Sequence, residues 1–186
     1  LSVTNLAEFT TTQIEALTRT QFAALTPTQV SALDATQFQS VTSTQIGGLT
    51  VAQVKALLET DIAEITTTQL AAFSATQIGQ FTNTSLAAFD VNQIAALSTT
   101  QVKGITNTQL ASLSSTDINE FTATQIGALT TTQLSALSTT QLSALDETQA
   151  AGLTTTQIAA FSVAQIRGLA ATDFAELSAT QFAALT

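Results

Sequence analysis

The amino-acid sequence predicts an all-α solenoid of very short helices, one for each eight-residue repeat. Three observations carry this expectation. Glutamine returns at multiples of eight residues from Gln13 to Gln181. Large apolar residues hold the first and sixth places of each octad, and a Ser, Thr or Asp stands three residues before nearly every Gln.

The unit reads Leu-Thr-x-Thr-Gln-Ile-x-Ala, as in the octad from Leu153 to Ala160. Where Gln is absent from its place, Asn5, Asp61, Ser85, Asp117 and Asp173 replace it, all short and polar. The first place is Leu, Phe, Ile or Val from Leu1 to Leu185. The sixth is apolar from Leu6 to Phe182 and shrinks only at Ala150. No linker interrupts the pattern, so residues 1–186 are expected to form a single continuous octapeptide-repeat array. A longer period lies over the octad. Asp61, Asp117 and Asp173 are 56 residues apart, as are Glu8, Glu64, Glu120 and Glu176, and Asp34, Asp90 and Asp146. Seven octads therefore make a super-repeat, through block duplication or a superhelix in which every seventh octad meets the same surroundings.

A continuous helix does not suit the octad. At about 100° per residue, eight residues leave an offset of about 80°, and the apolar stripe would wind over every face. A continuous strand fails too, because apolar places alternate by five and three, and odd steps put successive ones on opposite faces. A helix restarted in every octad fits. Thr10 with Gln13, Thr26 with Gln29 and Ser162 with Gln165 have capping-box spacing, in which the hydroxyl accepts from the third helical amide and the Gln carboxamide reaches back to the cap's own N–H. The flanking apolar pairs Phe9 with Ile14 and Leu25 with Val30 occupy hydrophobic-staple positions. Pro27 follows the cap Thr26 at the first helical place, where proline is tolerated. Helices this short do not persist alone, so neighbouring coils must stack on one another as in solenoids. The usually small residue before each Leu or Phe, such as Ala16, Ala24, Gly48 and Ala136, would let coils approach closely. A β-solenoid is the alternative, since Thr and Ile tolerate strands, but the Ala, Gln and Leu content favours helix.

Two breaks in the pattern stand out. Leu58 and Ala170 replace the cap, and each precedes an Asp in the Gln place, Asp61 and Asp173. The candidate metal ligands are the Asp-x-x-Glu pairs Asp61 with Glu64, Asp117 with Glu120, and Asp173 with Glu176, because a spacing of three puts both carboxylates on one helical face. Calcium takes six to eight oxygens, and no denser acidic loop accompanies these pairs, so a solvated first-turn charge pair is the plainer reading. The second candidate is the Thr row. The fourth place is Thr almost throughout, giving Thr-x-Thr with the cap (Thr66 and Thr68, Thr106 and Thr108), and Thr ladders on a stiff scaffold suit ice. The cap hydroxyl, however, is expected to be consumed by backbone. The Gln row could stack as an amide ladder, but capping explains it more simply. Phe9, Phe22, Phe38, Phe73 and Phe81 fall at core places and are expected to pack rather than to stack bases.

Composition narrows the function. The 186 residues include no Cys, His, Met, Trp or Tyr. That removes disulfides, thiolate metal sites, thiol nucleophiles and imidazole bases, and no cofactor or enzyme activity is expected. Only 9% of residues are charged, but the net charge is −9 and the pI about 4.1. With Arg19, Lys55, Lys103 and Arg167 scattered, such a surface repels phosphate, which argues against nucleic acid and anionic membranes. No apolar run approaches the ~18 residues of a membrane span.

The string Leu-Thr-Thr-Thr-Gln-Ile-Ala-Ala, repeated with drift over the whole chain, resembles octapeptide-repeat tracts of very large bacterial surface and secreted proteins, adhesin-like or surface-layer-like, often exported by type I secretion. The resemblance implies an extracellular or cell-surface structural role, as a spacer, stalk or filament-forming element, and transfers no site residue. The alternative is a ligand-binding repeat scaffold, for ice or cations. The chain starts at Leu1, mid-pattern, which reads as a fragment of a longer protein. Solenoid ends without polar caps expose their core, so self-association or continuation of the array end to end is expected.

Overall fold

A computed structural model describes residues 2–185. Among the described residues there are 23 helices of four to six residues, from α1 (Val3–Ala7) to α23 (Ala179–Phe182), and no strand. The all-α solenoid of short helices is thus the fold, and the β-solenoid is set aside. The chain divides into two compact units, Leu1–Leu97 and Ser98–Thr186.

Most octads account for their backbone in the same way. In α2 (Thr11–Ala16) the cap Thr10 is extended, at φ −72° and ψ 160°, and its hydroxyl accepts from the Gln13 N–H. Gln13 Oε1 accepts in return from the Thr10 N–H at 2.9 Å. The Ile14 N–H donates to the Thr10 carbonyl at 3.0 Å, and the Leu17 N–H closes the turn on the Ile14 carbonyl at 3.2 Å. Leu17 is itself extended, at ψ 129°, so the chain leaves one helix already pointed into the next cap. Satisfying the helix N-terminus locally in this way lets so short a helix stand.

The interior is built from the first and sixth places. In the first unit Leu6, Ile14, Phe22, Val30, Phe38, Ile46 and Val54 are buried on the sixth place. Leu25, Leu33, Val41, Leu49 and Leu57 are buried on the first. Phenylalanines of consecutive octads touch, Phe73 with Phe81 at 5.2 Å and Phe81 with Phe89 at 5.4 Å between ring centres. Phe22, Phe38, Phe73 and Phe81 are core residues, as expected, and Phe9 is half-buried.

Helices pack on those three places earlier in the chain. In the first unit α4 (Pro27–Val30) meets α7 (Val51–Ala56), and in the second α16 (Ala123–Ala128) meets α19 (Glu147–Gly152). Close approach of one backbone to another uses small residues. A Cβ on Gly152 would lie 2.5 Å from the Ala123 carbonyl oxygen, and one on Gly127 would lie 2.6 Å from the Gly152 carbonyl oxygen.

Candidate functional site

The most regular chemistry in the molecule belongs to the glutamines. Sequence reasoning saw only half of it. The carboxamide oxygen completes the capping box; the carboxamide nitrogen donates to two backbone carbonyls of the previous coil. Gln45 Nε2 donates to the carbonyls of Ile14 at 2.7 Å and Leu17 at 2.8 Å. Gln93 does the same to Ile62 and Ile65, both at 2.8 Å. In the second unit Gln133 reaches Val102 at 3.0 Å and Ile105 at 2.7 Å, and Gln165 reaches Leu134 at 2.9 Å and Leu137 at 3.0 Å. The acceptors lie 31 and 28 residues earlier, joined in some octads by the carbonyl 30 residues earlier, as for Gln37 with Ala7 and Gln149 with Asn119. The first-place carbonyl, such as that of Leu17, lies just past the helix end, and the sixth-place carbonyl, such as that of Ile14, also accepts the turn-closing Leu17 N–H. The glutamines are correspondingly buried, Gln53 to 0% exposure. The 28-residue bond joins a fifth-place side chain to a first-place carbonyl of the preceding coil. A side chain with an acceptor and a donor is needed here. An ionised glutamate would keep the acceptor and lose the donor.

The exceptions to Gln show how the place tolerates change. Ser85, in α11 (Asn83–Ala87), keeps one cross-coil bond through its hydroxyl, which donates to the Leu57 carbonyl at 2.9 Å. Asp61, in α8 (Glu59–Glu64), lies at 6% exposure and is not the solvated residue that a first-turn charge pair suggests. Its Oδ2 accepts from the Leu58 N–H at 2.7 Å, so half of a capping box survives although Leu58 offers no hydroxyl. Burial raises its pKa above the ordinary carboxylate range, against the lowering effect of that backbone bond. Asp61 and Glu64 line one recess of about 190 Å³ together with Ser31, Leu33, Phe38 and Thr60. Glu64 also accepts from Gln39 Nε2 of the preceding coil.

Asp173, in α22 (Ala171–Ala175), is half-buried. It accepts from the Ala170 N–H at 2.7 Å and from the Ser143 hydroxyl of the previous coil at 2.6 Å. Glu176 follows as the helix C-cap. Desolvation raises its pKa first, and then the negative charges of Asp173, Glu147 and Asp146. Asp173 and Glu176 border a small cavity of about 20 Å³ beside Ala150, the one sixth-place residue reduced to a methyl. In the third pair, Asp117 is half-buried and accepts from the Ser114 N–H at 2.7 Å within a complete capping box. Among the described residues no three acidic, His or Cys side chains gather to hold a metal ion.

The threonine row divides by place. Cap hydroxyls are engaged, Thr66 with the Gln69 N–H and Thr106 with the Gln109 N–H, both at 3.2 Å. The fourth-place residues Thr68, Thr108 and Thr156 are exposed. Of the scattered cations, Arg19 donates to the Gly47 carbonyl of the next coil at 2.8 Å, while Lys55, Lys103 and Arg167 are exposed. Among the described residues no helix is long and apolar enough to cross a membrane.

No protein-family model matches this chain, and no curated protein matches it.

Proposed function

We propose that the chain is a structural repeat segment, a spacer, stalk or filament-forming element of a bacterial cell-surface or extracellular protein, and that it performs no catalysis. One observation carries the reading. The most deeply placed polar side chains, the glutamines, are spent on joining each coil to the one before, through the same pair of carbonyls 28 and 31 residues earlier. A joint that depends only on its own preceding coil can be repeated without limit, and length is what a spacer needs. The resemblance of the octad to tracts of large bacterial surface proteins supports the location, and the acidic, cysteine-free composition suits it.

Lengthening tests the spacer. Chains extended by one and by two 56-residue blocks should show a maximum dimension, by small-angle scattering, that grows in proportion to the octads added. Growth with the cube root of length would instead describe a globule and end the proposal. Location is tested separately, since an antibody to the chain should label intact, unpermeabilised cells of the source organism. The alternative reading, ice or cation binding, has less support. One hydroxyl of each Thr-x-Thr is engaged in capping, and the three acidic pairs differ in burial and partners.

A further inference from the structure

We propose that Asp61 is an acid-operated replacement for the glutamine joint: when protonated, its carboxyl hydroxyl donates to the Leu33 carbonyl and fastens α8 to the preceding coil, and when ionised it cannot. The position defines the partner. Throughout the first unit the Gln nitrogen bonds the carbonyl 28 residues earlier, Gln37 to Phe9, Gln53 to Leu25, Gln69 to Val41 and Gln93 to Ile65, each at 2.8 Å. For Asp61 that carbonyl belongs to Leu33, which lines the same recess. One carboxylate oxygen already does the work of the Gln oxygen, accepting from the Leu58 N–H. The other oxygen is the only group Asp61 has to offer in place of the amide nitrogen, and an ionised carboxylate only accepts.

Reach is not the obstacle. Ser85, shorter than Asp by one heavy atom, bonds its own counterpart carbonyl, Leu57, at 2.9 Å through an O–H. A carboxylic acid supplies the same kind of donor.

The surroundings favour the neutral form. Helix α8 packs on α5 (Ala35–Gln39) and α11, and α4 ends just before Ser31 in the recess wall. Neither α4, α5 nor α11 carries a charged residue. Glu59 and Glu64 lie on α8 and Asp34 caps α5, while the one cation on a neighbouring element, Lys55 of α7, is exposed. Burial pushes the Asp61 pKa upward. Asp173 provides a contrast in geometry, since the Ser143 hydroxyl of the previous coil donates into its carboxylate. The corresponding Ser31, also 30 residues before its Asp, turns its hydroxyl to the Thr28 carbonyl instead.

The sign follows from the raised folded-state pKa. The bond's stabilisation is fully present below the unfolded Asp value of about 3.9 and is lost as pH rises through the higher folded value. Acid therefore tightens this coil, and neutral pH loosens it.

The test compares thermal unfolding of the full chain with that of Asp61→Asn between pH 4 and pH 8, since the Asn carboxamide donates at every pH. Asp61→Asn should melt roughly 2–4 °C above the parent at pH 7, and the gap should close towards pH 4. In the parent chain the Asp61 carboxyl carbon, followed by NMR, should titrate above the ordinary Asp value; this measurement stands even if the variant folds poorly. A gap that is absent or independent of pH, or a carboxyl carbon titrating at the ordinary value, overturns the proposal. So does closure of the gap at pH 7 by millimolar calcium, which would make the missing partner a cation rather than a proton.

Discussion

At the scale of a single residue, the molecule turns on one functional group used from both ends. Gln93 accepts from the Asp90 N–H at 2.9 Å and donates to two carbonyls of another coil. Replacing it by Glu preserves the acceptor and the volume, removes the donor, and faces a carboxylate towards two buried carbonyls. Leaving buried partners unsatisfied costs about 1–3 kcal/mol each, and more with charge. Gln93→Glu should therefore lose roughly 2–4 kcal/mol of unfolding free energy at pH 7. The loss should shrink on acidification as the new carboxyl gains a proton, and urea unfolding at pH 7 and pH 4.5 would show both. The capping half of this role was legible in the sequence because both partners, Thr10 and Gln13 for example, are side chains at a fixed spacing. The cross-coil half was not. Its acceptors are backbone carbonyls, which every residue has, so no residue type marks them. For the same reason Asp61 read as a solvated acid, although the structure buries it.

At the scale of the helix, the lesson concerns what so short an element can rely on. Four to six residues form too little hydrogen-bonded ladder to hold themselves, so caps and contacts between coils decide stability and propensity decides little. Gly152 separates the two influences. It ends α19 and stands against Ala123, the first residue of α16. Helix propensity alone credits Gly→Ala with up to about 1 kcal/mol of stabilisation. The added Cβ would lie 2.5 Å from the Ala123 backbone oxygen, and backbone must move to admit it. Gly152→Ala should instead destabilise by about 1–3 kcal/mol, measured as a fall in the urea midpoint. The requirement for small residues before each Leu or Phe was visible as a pattern in the sequence. Which of them makes the tightest contact was not, because that depends on the offset between coils.

At the scale of the whole molecule, the octad is the unit of insertion as well as of folding. Deleting Thr130–Leu137 removes one octad and leaves Leu129 followed by the cap Ser138, in phase. Gln141 would then stand 31 and 28 residues after Val102 and Ile105, the carbonyls that Gln133 bonds now. The shortened chain should unfold cooperatively, with a midpoint near that of the parent. Deleting only Thr130–Gln133 throws every later first-place residue out of phase and should abolish the cooperative transition in the second unit, as circular dichroism during denaturation would report. The period of eight was plain from the glutamines. The period of 56 was plain as well, whereas the bonds that reach 28 and 31 residues back were not, because no regularity in side-chain identity displays them.

Among the described residues no peptide bond is cis and no residue has positive φ. The path from helix to helix thus bends only through conformations open to any L-amino acid. Corners of this kind place no demand for glycine or asparagine, so their surface positions are free to vary in identity while the path stays the same. Such a chain can diversify its outside without renegotiating its course.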